Sequence, residues 1–367
     1  NVTDGTKTAN TSSAVTANAG AFTKLQILVP GETATPGTAT GKTGTPITQV
    51  ASAPFSVTVN AVDANWNFIA NVTDTVDINS SDANATLPPD TALVGGTQSL
   101  SVTLRTAGTR TLTASDVTDA SKTANTSASI SVGAGNFVKL QLLVPGETAA
   151  PGTANGKTGT PTAQPAGTAF SVTVRSVDAD WNLASSIHTV GISSTDTNAT
   201  LPANGSLSAG TRTVSVTLLT MGSQTVSATD LTDGTKTASI SPPISVTVGL
   251  ANKLVIQTQP SSTATAGVAF TQQPVIYVTD TLGNLLTNDN GRIVTATRSA
   301  GTGTLQGSVT ATTVNGIATF NNLSHNVAST ITINFTASGL TNATSTSIIV
   351  SPAAASQLVF TTQPDGV

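Results

Sequence analysis

Short stretches in which apolar and polar residues alternate run along the whole chain. One such stretch has Phe170, Val172 and Val174 on a single side, and another covers residues 214–218. Alternation with a period of two is typical of a β-strand that buries one face. Gly, Asn, Asp and Pro lie between the stretches and favour turns. The pattern therefore predicts an all-β chain of short strands.

The same pattern returns at regular intervals. The segment Lys-Leu-Gln-Ile-Leu-Val-Pro-Gly-Glu begins at Lys24 and recurs with one change at Lys139, and shorter related segments begin at Lys253 and Gln357. Self-similarity at a near-constant period indicates a tandem array of one structural unit. We therefore expect the chain to be part of a longer array of modules.

The repeats predict how the chain is divided. About seven short strands in roughly 100 residues, with turn signals between them, favour a two-sheet sandwich. Short joints between the units favour a semi-rigid rod. The predicted segments are the C-terminal strand or strands of a preceding module at 1–23, three modules at 24–136, 137–251 and 252–355, and the start of a following module at 356–367.

The third module carries the runs that allow a family resemblance. They are Ala-Gly-Val-Ala-Phe at 266–270, Val-Thr-Asp-Thr-Leu-Gly-Asn at 278–284 and Val-Asn-Gly-Ile-Ala-Thr-Phe at 314–320. These runs resemble the bacterial immunoglobulin-like (BIg-type) repeats of large surface proteins, adhesins and extracellular fibres. The first two modules resemble them more loosely, because each has a Pro- and Gly-rich insertion between its first two strands. The resemblance implies tandem immunoglobulin-like β-sandwich modules in an elongated rod.

Composition narrows the range of functions. Charged residues make up 9% of the chain, the net charge is −4 and cysteine is absent. A chain without a basic patch is not expected to bind nucleic acid, and no apolar run approaches the length of a membrane span. Without disulfides, we expect stability to come from repeated hydrophobic cores.

Catalytic arrangements are missing from the sequence. His188 and His325 lie at non-equivalent positions, and neither belongs to an H-E-x-x-H motif. Glu32 and Glu147 lie about one module apart, which is too far for a glycosidase carboxylate pair. The segment 37–43 approaches a phosphate-binding P-loop but has three residues between its glycines, where the P-loop has four. We therefore expect a protein that is not an enzyme and has no cofactor.

Two equivalent turns, 63–67 and 178–182, carry oxygen-bearing side chains at alternate positions. This alternation occurs in calcium loops and makes Asp178 and Asp180 candidate calcium ligands. The Gly and Glu that an EF-hand loop has at its sixth and twelfth positions are missing. A strand-to-strand turn held by Asx side chains explains the same residues without a metal.

The only tryptophans, Trp66 and Trp181, lie in these turns. The third module has Gly283 at the same position, which favours an exposed tight turn. An indole there would be able to stack on a sugar ring or on another subunit. Alternatively, each indole folds back over the edge of its own sandwich and buries apolar area.

Lysines begin three modules at equivalent positions, Lys24, Lys139 and Lys253. An isopeptide crosslink to Asn or Asp is one interpretation, but it requires a buried acid nearby. The alternative is a solvated lysine on an edge strand, where the charge discourages aggregation.

These observations predict a structural component of an extracellular bacterial filament or cell-surface stalk. The expected partners are other copies of the chain or neighbouring modules. A sharper hypothesis is polymerisation by strand complementation, with residues 1–23 completing a module of the next chain. The alternative function is that of adhesive or carbohydrate-binding modules, in a surface adhesin or in the accessory region of a secreted enzyme. Surface glycans would then be the partner.

Overall fold

The regular structure in the described part of the chain is all β-structure. The computed structural model describes residues 3–359 and 361, and within them every regular element is a strand. The all-β prediction is confirmed. No helix that could span a membrane occurs in this part of the chain.

The first module consists of two facing sheets, a third short sheet and one hairpin. The sheets have the strand orders β1-β5-β8, β11-β10-β6-β7 and β4-β12-β9, and β2 pairs with β3. The strands are β1 (Lys24–Leu28), β2 (Glu32–Ala34), β3 (Lys42–Gly44), β4 (Gln49–Val50), β5 (Pro54–Val62), β6 (Thr75–Ser80), β7 (Thr91–Ala92), β8 (Thr97–Thr103), β9 (Gly108–Arg110), β10 (Leu112–Asp116), β11 (Asn125–Thr126) and β12 (Ile130–Gly133).

The second module repeats this topology strand for strand. Its orders are β13-β17-β20, β19-β18-β22-β23 and β16-β24-β21, with β14 paired to β15. The strands are β13 (Lys139–Leu143), β14 (Glu147–Ala149), β15 (Lys157–Gly159), β16 (Gln164–Pro165), β17 (Ala169–Val177), β18 (Thr189–Ser194), β19 (Gly205–Ser206), β20 (Thr211–Thr217), β21 (Gly222–Gln224), β22 (Val226–Asp230), β23 (Ser239–Ile240) and β24 (Ile244–Thr247).

The third module lacks the inserted hairpin. Its sheets run β25-β27-β31 and β26-β35-β33-β28-β30, with β34 on β33 and β29 paired to β32. The strands are β25 (Lys253–Thr258), β26 (Thr263–Thr265), β27 (Val275–Thr279), β28 (Ile293–Ala300), β29 (Leu305–Gln306), β30 (Thr310–Thr312), β31 (Ile317–Thr319), β32 (Ser324–His325), β33 (Thr330–Thr336), β34 (Ala343–Thr344) and β35 (Ile348–Ser351).

Each module has its own hydrophobic core. Three separate clusters of buried apolar residues lie within 25–132, 140–246 and 254–350. The alternating stretch at Phe170 is strand β17, and its buried residues point into the second cluster. Phe22 packs on the first cluster although it precedes the predicted boundary at residue 24. The domain bounds themselves stay a prediction.

The prediction of about seven strands per module counted only the long alternating stretches. The strands that it missed are mostly two or three residues long, such as β4, β7 and β11. A strand of this length is too short to show a period of two. The long strands account for the sandwich, and the short ones close its edges.

The described part of the first predicted segment, residues 3–23, contains no strand. The turn at 4–7 nevertheless forms, with an ion pair between Lys7 and Asp4 like that between Lys122 and Asp119. Val15 is 88% exposed, whereas Ile130 at the repeated position is buried in the core. The turn at 4–7 therefore forms at exposed positions, whereas the end of the segment, with Phe22, packs on the first module. Strand complementation stays a prediction.

Candidate functional site: the inserted hairpin and the joints between modules

The Pro- and Gly-rich insertion is an antiparallel β-hairpin, β2–β3 in the first module and β14–β15 in the second. The Glu32 carboxylate accepts a hydrogen bond from Lys42 Nζ at 2.9 Å, and Glu147 pairs with Lys157 at 2.8 Å. The glutamate side chains are only 3% and 1% exposed. An unpaired charge would be costly at such a position. The ion pair therefore holds the two strands of each hairpin together.

A buried glutamine connects the hairpin to the sheet. Gln26 Nε2 donates to the carbonyl of Gly41 at 2.7 Å, and Gln26 Oε1 accepts from Asn60 Nδ2 at 3.1 Å. Gln141 bonds the second hairpin in the same way. The third module, which has no hairpin, has Val255 at this position. The sequence signal for this contact is a glutamine, Gln26 or Gln141, inside an otherwise apolar repeated stretch. The contact between the glutamine and the hairpin was not predicted from the sequence.

The two tryptophans lie against the hairpins. Trp66 and Trp181 both have φ of 68°, a left-handed conformation that non-glycine residues rarely adopt. A Cβ added at Gly41 or Gly156 would overlap the indole, so the ring packs directly on the glycine backbone. Each indole is half-buried. Nε1 of Trp181 donates to the carbonyl of Ala154, in the hairpin, at 3.2 Å.

The other face of each indole is covered by the lysine that begins the module. Lys24 Nζ lies 3.5 Å from the ring centroid of Trp66, and Lys139 Nζ lies 3.4 Å from that of Trp181. These are close cation–π contacts. With glycine on one face and lysine on the other, neither ring is free to stack on a sugar in this conformation. The ligand and subunit roles of Trp66 and Trp181 stay predictions.

The turn that carries the tryptophan is held by its first aspartate. Asp178 Oδ1 accepts from the backbone N–H groups of Asp180 and Asn182, both at 2.9 Å. Asp178 Oδ2 accepts from Asn182 Nδ2 and from the N–H of Gly135, which belongs to the joint with the first module. The turn at Asp63 has the same arrangement. The hydrogen bond from Asn67, together with others, holds the pKa of Asp63 well below its usual range.

The predicted calcium ligands are therefore already hydrogen-bonded. Asp178 faces N–H donors, and Asp180 accepts from Arg105 Nη1 at 3.1 Å and from Ser52 Oγ. A calcium ion would have to displace these donors. Within residues 3–359 and 361, no three acidic or histidine side chains are grouped as metal ligands. The calcium site stays a prediction.

Asp180 and Asn182 join the second module to the first. The ion pair between Arg105 and Asp180 crosses the boundary. The N–H of Ala107 donates to Asn182 Oδ1 at 2.8 Å, and Asn182 Nδ2 donates to the carbonyl of Arg105 at 2.8 Å. We call these contacts the polar joint. They are directional, because each depends on the position of a donor and an acceptor in different modules.

The tip of the second hairpin also contacts the first module. A Cβ added at Gly152 would overlap Thr106 Oγ1 and lie 2.7 Å from Asn84 Nδ2. The corresponding residue of the first hairpin, Gly37, has nothing within 4 Å. Beside this contact lies an open cleft of about 420 Å³ lined by residues of both modules: Asn84, Arg105, Lys139, Gly152, Thr153, Ala154, Ala179, Asp180 and Trp181.

A titratable pair lies elsewhere in the second module. His188 Nδ1 is 2.8 Å from Asp230 Oδ2, and Phe137 packs edge-on against the imidazole with 5.3 Å between ring centroids. In the first module, Asp74 and Asp116 occupy the same positions. Burial and the nearby Asp116 raise the pKa of Asp74. Asp116 Oδ2 is buried without a hydrogen-bond partner among the described residues.

Comparison with known proteins gives similarity of structure only. No protein-family model and no curated protein sequence matches the chain. Among solved structures, the chain is similar to FdeC, an adhesin of Escherichia coli, with 17% identity and a TM-score of 0.41 over 92% of this chain and 100% of that one.

Invasin, a bacterial integrin-binding protein, is 14% identical with a TM-score of 0.32, over 90% of this chain and 60% of that one. A glycosyl hydrolase family 2 member from Bacteroides cellulosilyticus is 13% identical with a TM-score of 0.25, over 51% of this chain and 23% of that one. Similarity at these values assigns neither a ligand nor an activity.

Proposed function

We propose that the chain is a non-enzymatic structural segment of a bacterial cell-surface stalk or extracellular filament. The polar joint is the observation that carries this proposal. There, Arg105, Asp180 and Asn182 use their polar groups to fix one module against the next. Two modules that hold each other in position form a stiff segment, which is suited to extend from a surface and to transmit force.

The rest of the structure is consistent with this proposal. Each module encloses its own core, so modules can be added in series without a shared centre. Each hairpin is hydrogen-bonded to its own module by a buried glutamine, Gln26 in the first module and Gln141 in the second. The imidazole of His188 is bonded to the buried Asp230, and among the described residues the hydrogen bond from His188 to Ser186 comes from the backbone N–H and not from the ring.

Immunogold labelling of intact source cells tests the location. We expect antibodies raised against the chain to label thin projections or filaments on unbroken cells, and surface protease treatment to remove the label. Labelling that appears only after the cells are permeabilised would contradict the proposal. Negative-stain images of the released material then distinguish the two forms, since filaments repeat along their axis and stalks end at the envelope.

A second candidate function is glycan adhesion. The cleft beside the polar joint favours it, because Arg105 and Lys139 line the cleft together with the edge of Trp181. Binding to a glycan array tests this function, with Arg105→Ala expected to abolish retention and Lys122→Ala, far from the cleft, expected to leave it unchanged. A chain that retains no glycan rejects adhesion through this cleft without affecting the stalk proposal.

A further inference from the structure

The two joints between modules share one contact and differ in the rest. In both, a glycine N–H of the connecting segment donates to the first aspartate of the next turn. The distance is 2.8 Å from Gly135 to Asp178 and 3.1 Å from Gly249 to Asp280. This contact fixes where the chain enters the next module.

At the second joint Gly167 also faces Thr281 and Leu282, and Val248 of the connecting segment packs on the core of the third module. These additional contacts are not hydrogen bonds, so they restrain the angle between the modules less than directional contacts do.

The second joint lacks the polar residues of the first. In the first module, the backbone N–H of Arg105 donates to Asp82. In the second module, the backbone N–H of Leu219 makes the same hydrogen bond to Asp196. Leu219 is therefore the equivalent of Arg105. By the same register, Met221 replaces Ala107, and Leu282 replaces Asp180. Leu282 and Met221 are 45% and 48% exposed.

No hydrogen bond or ion pair among the described residues connects the loop 219–221 with the turn 280–284. The side-chain amide of Asn284 donates to Asp280 of its own turn at 2.9 Å. The equivalent Asn182 also donates across the joint, to the carbonyl of Arg105. The third module also has no hairpin to place against the second. We call the region of Gly167, Val248 and Leu282 the apolar joint.

We infer that the polar joint holds the first two modules at one angle and that the apolar joint is a hinge. Directional hydrogen bonds and an ion pair are lost when the angle changes. Apolar contacts are non-directional and persist over a range of angles. The second joint has no hairpin and no equivalents of Arg105 and Asp180, so the angle between the second and third modules is free to vary. This inference holds whether the chain is a stalk or an adhesive segment.

Pulsed electron resonance between spin labels measures both angles in the full chain. Because the sequence has no cysteine, labels attach only where one is introduced. The exposed strand positions Ser101, Ser215 and Thr319 lie in successive modules and away from the joints. The two labelled chains are Ser101→Cys with Ser215→Cys, and Ser215→Cys with Thr319→Cys.

We expect the distance distribution across the apolar joint to be at least about twice as wide as that across the polar joint. Introducing Arg105→Leu and Asp180→Leu, the residues of the second joint, should widen the first distribution until the two are similar. Lys122→Ala is the control, since Lys122 pairs with Asp119 away from both joints.

The reciprocal variant, Leu219→Arg with Leu282→Asp, should narrow the second distribution, and it provides a test even if the first double variant does not fold. Thermal unfolding confirms that each labelled chain is folded. Equal widths in the parent chain would overturn the inference. The inference would also be overturned if the distance distribution across the polar joint stayed narrow in the folded Arg105→Leu, Asp180→Leu variant.

Discussion

Lys139 lies directly over the indole of Trp181, with its Nζ 3.4 Å from the ring centroid, and the same ammonium donates to the carbonyl of Ala179 at 2.8 Å. One lysine thus connects the first strand of the module, the turn and, through the indole, the inserted hairpin. The lysine of the third module, Lys253, has Gly283 at the position of the tryptophan and therefore no ring to cover. Lys24 and Lys139 lie on edge strands, as expected, but their ammonium groups are packed on the indoles and are not simply solvated.

Burial lowers the pKa of Lys139 and so opposes its charge, whereas the indole and the carbonyl of Ala179 favour it. We predict that the ring contact outweighs the effect of burial and that the charge stabilises the second module. Lys139→Met keeps the apolar stem and removes the ammonium, so we expect a loss of about 1 kcal/mol in the free energy of unfolding, measured by urea denaturation. Lys7→Met is the control, because the Lys7 ammonium forms an exposed pair with Asp4. An equal effect of the two substitutions would mean that the ring contact contributes nothing.

The buried ion pair of the hairpin should be sensitive to the loss of one partner. Glu147→Gln leaves Lys157 without its counter-charge in a largely enclosed site, and we expect a cost of about 2 kcal/mol or more. The double variant Glu147→Leu, Lys157→Met should recover most of this loss, because no uncompensated charge remains.

The control is Asp233→Asn, which breaks the ion pair with Lys236; the side chain of Asp233 is 35% exposed, against 1% for that of Glu147. We expect it to cost less than about 1 kcal/mol. If the double variant proves as unstable as Glu147→Gln, the cost comes from hairpin packing and not from the unpaired charge.

Gly152→Ala tests the contact between the second hairpin and the first module. The new Cβ would overlap Thr106, and the left-handed backbone adds strain, since φ is 81°. Gly37→Ala has a similar φ of 76° and nothing nearby, so it isolates the conformational cost. We expect Gly152→Ala to be the more destabilising by about 1 kcal/mol or more in urea denaturation. Equal losses would show that the hairpin tip does not pack on the first module.

The Asp74–Asp116 pair predicts a pH dependence of the first module. The pKa of Asp74 is raised in the folded state, so its favourable contribution is present below the unfolded value of 3.8 and is lost as the pH rises through the folded value. Asp74→Asn, which cannot ionise, should therefore raise the thermal midpoint at about pH 7 and leave it nearly unchanged at about pH 3.

Asp233→Asn provides a control of opposite sign. Hydrogen bonds from Thr235 and Lys236 lower the pKa of Asp233 to about 2. Its contribution is therefore present above the unfolded value and is lost as the pH falls through about 2. We expect this substitution to lower the midpoint at about pH 7. A stabilising effect of Asp74→Asn that is equal at both pH values would contradict the assignment to ionisation.

The sequence by itself determined the class of fold and the repetition. Alternation such as that of Phe170, Val172 and Val174 depends on the geometry of a single strand, in which successive side chains point to opposite faces. The Asx turns at 63–67 and 178–182 could also be predicted from the sequence, because an aspartate bonds to backbone groups two and four residues later. Such features are local, so the order of residues is sufficient to predict them.

Only the tertiary structure decided what surrounds each candidate residue. Trp181 was predicted from its turn, but its two faces are covered by Gly156 and Lys139, which are far from it in the chain. Asp180 was considered as a calcium ligand, yet its nearest cation is Arg105 of another module. These contacts depend on how strands pair and on how one module is placed against the next. Both are set by the packing of residues distant in sequence, which no local pattern records.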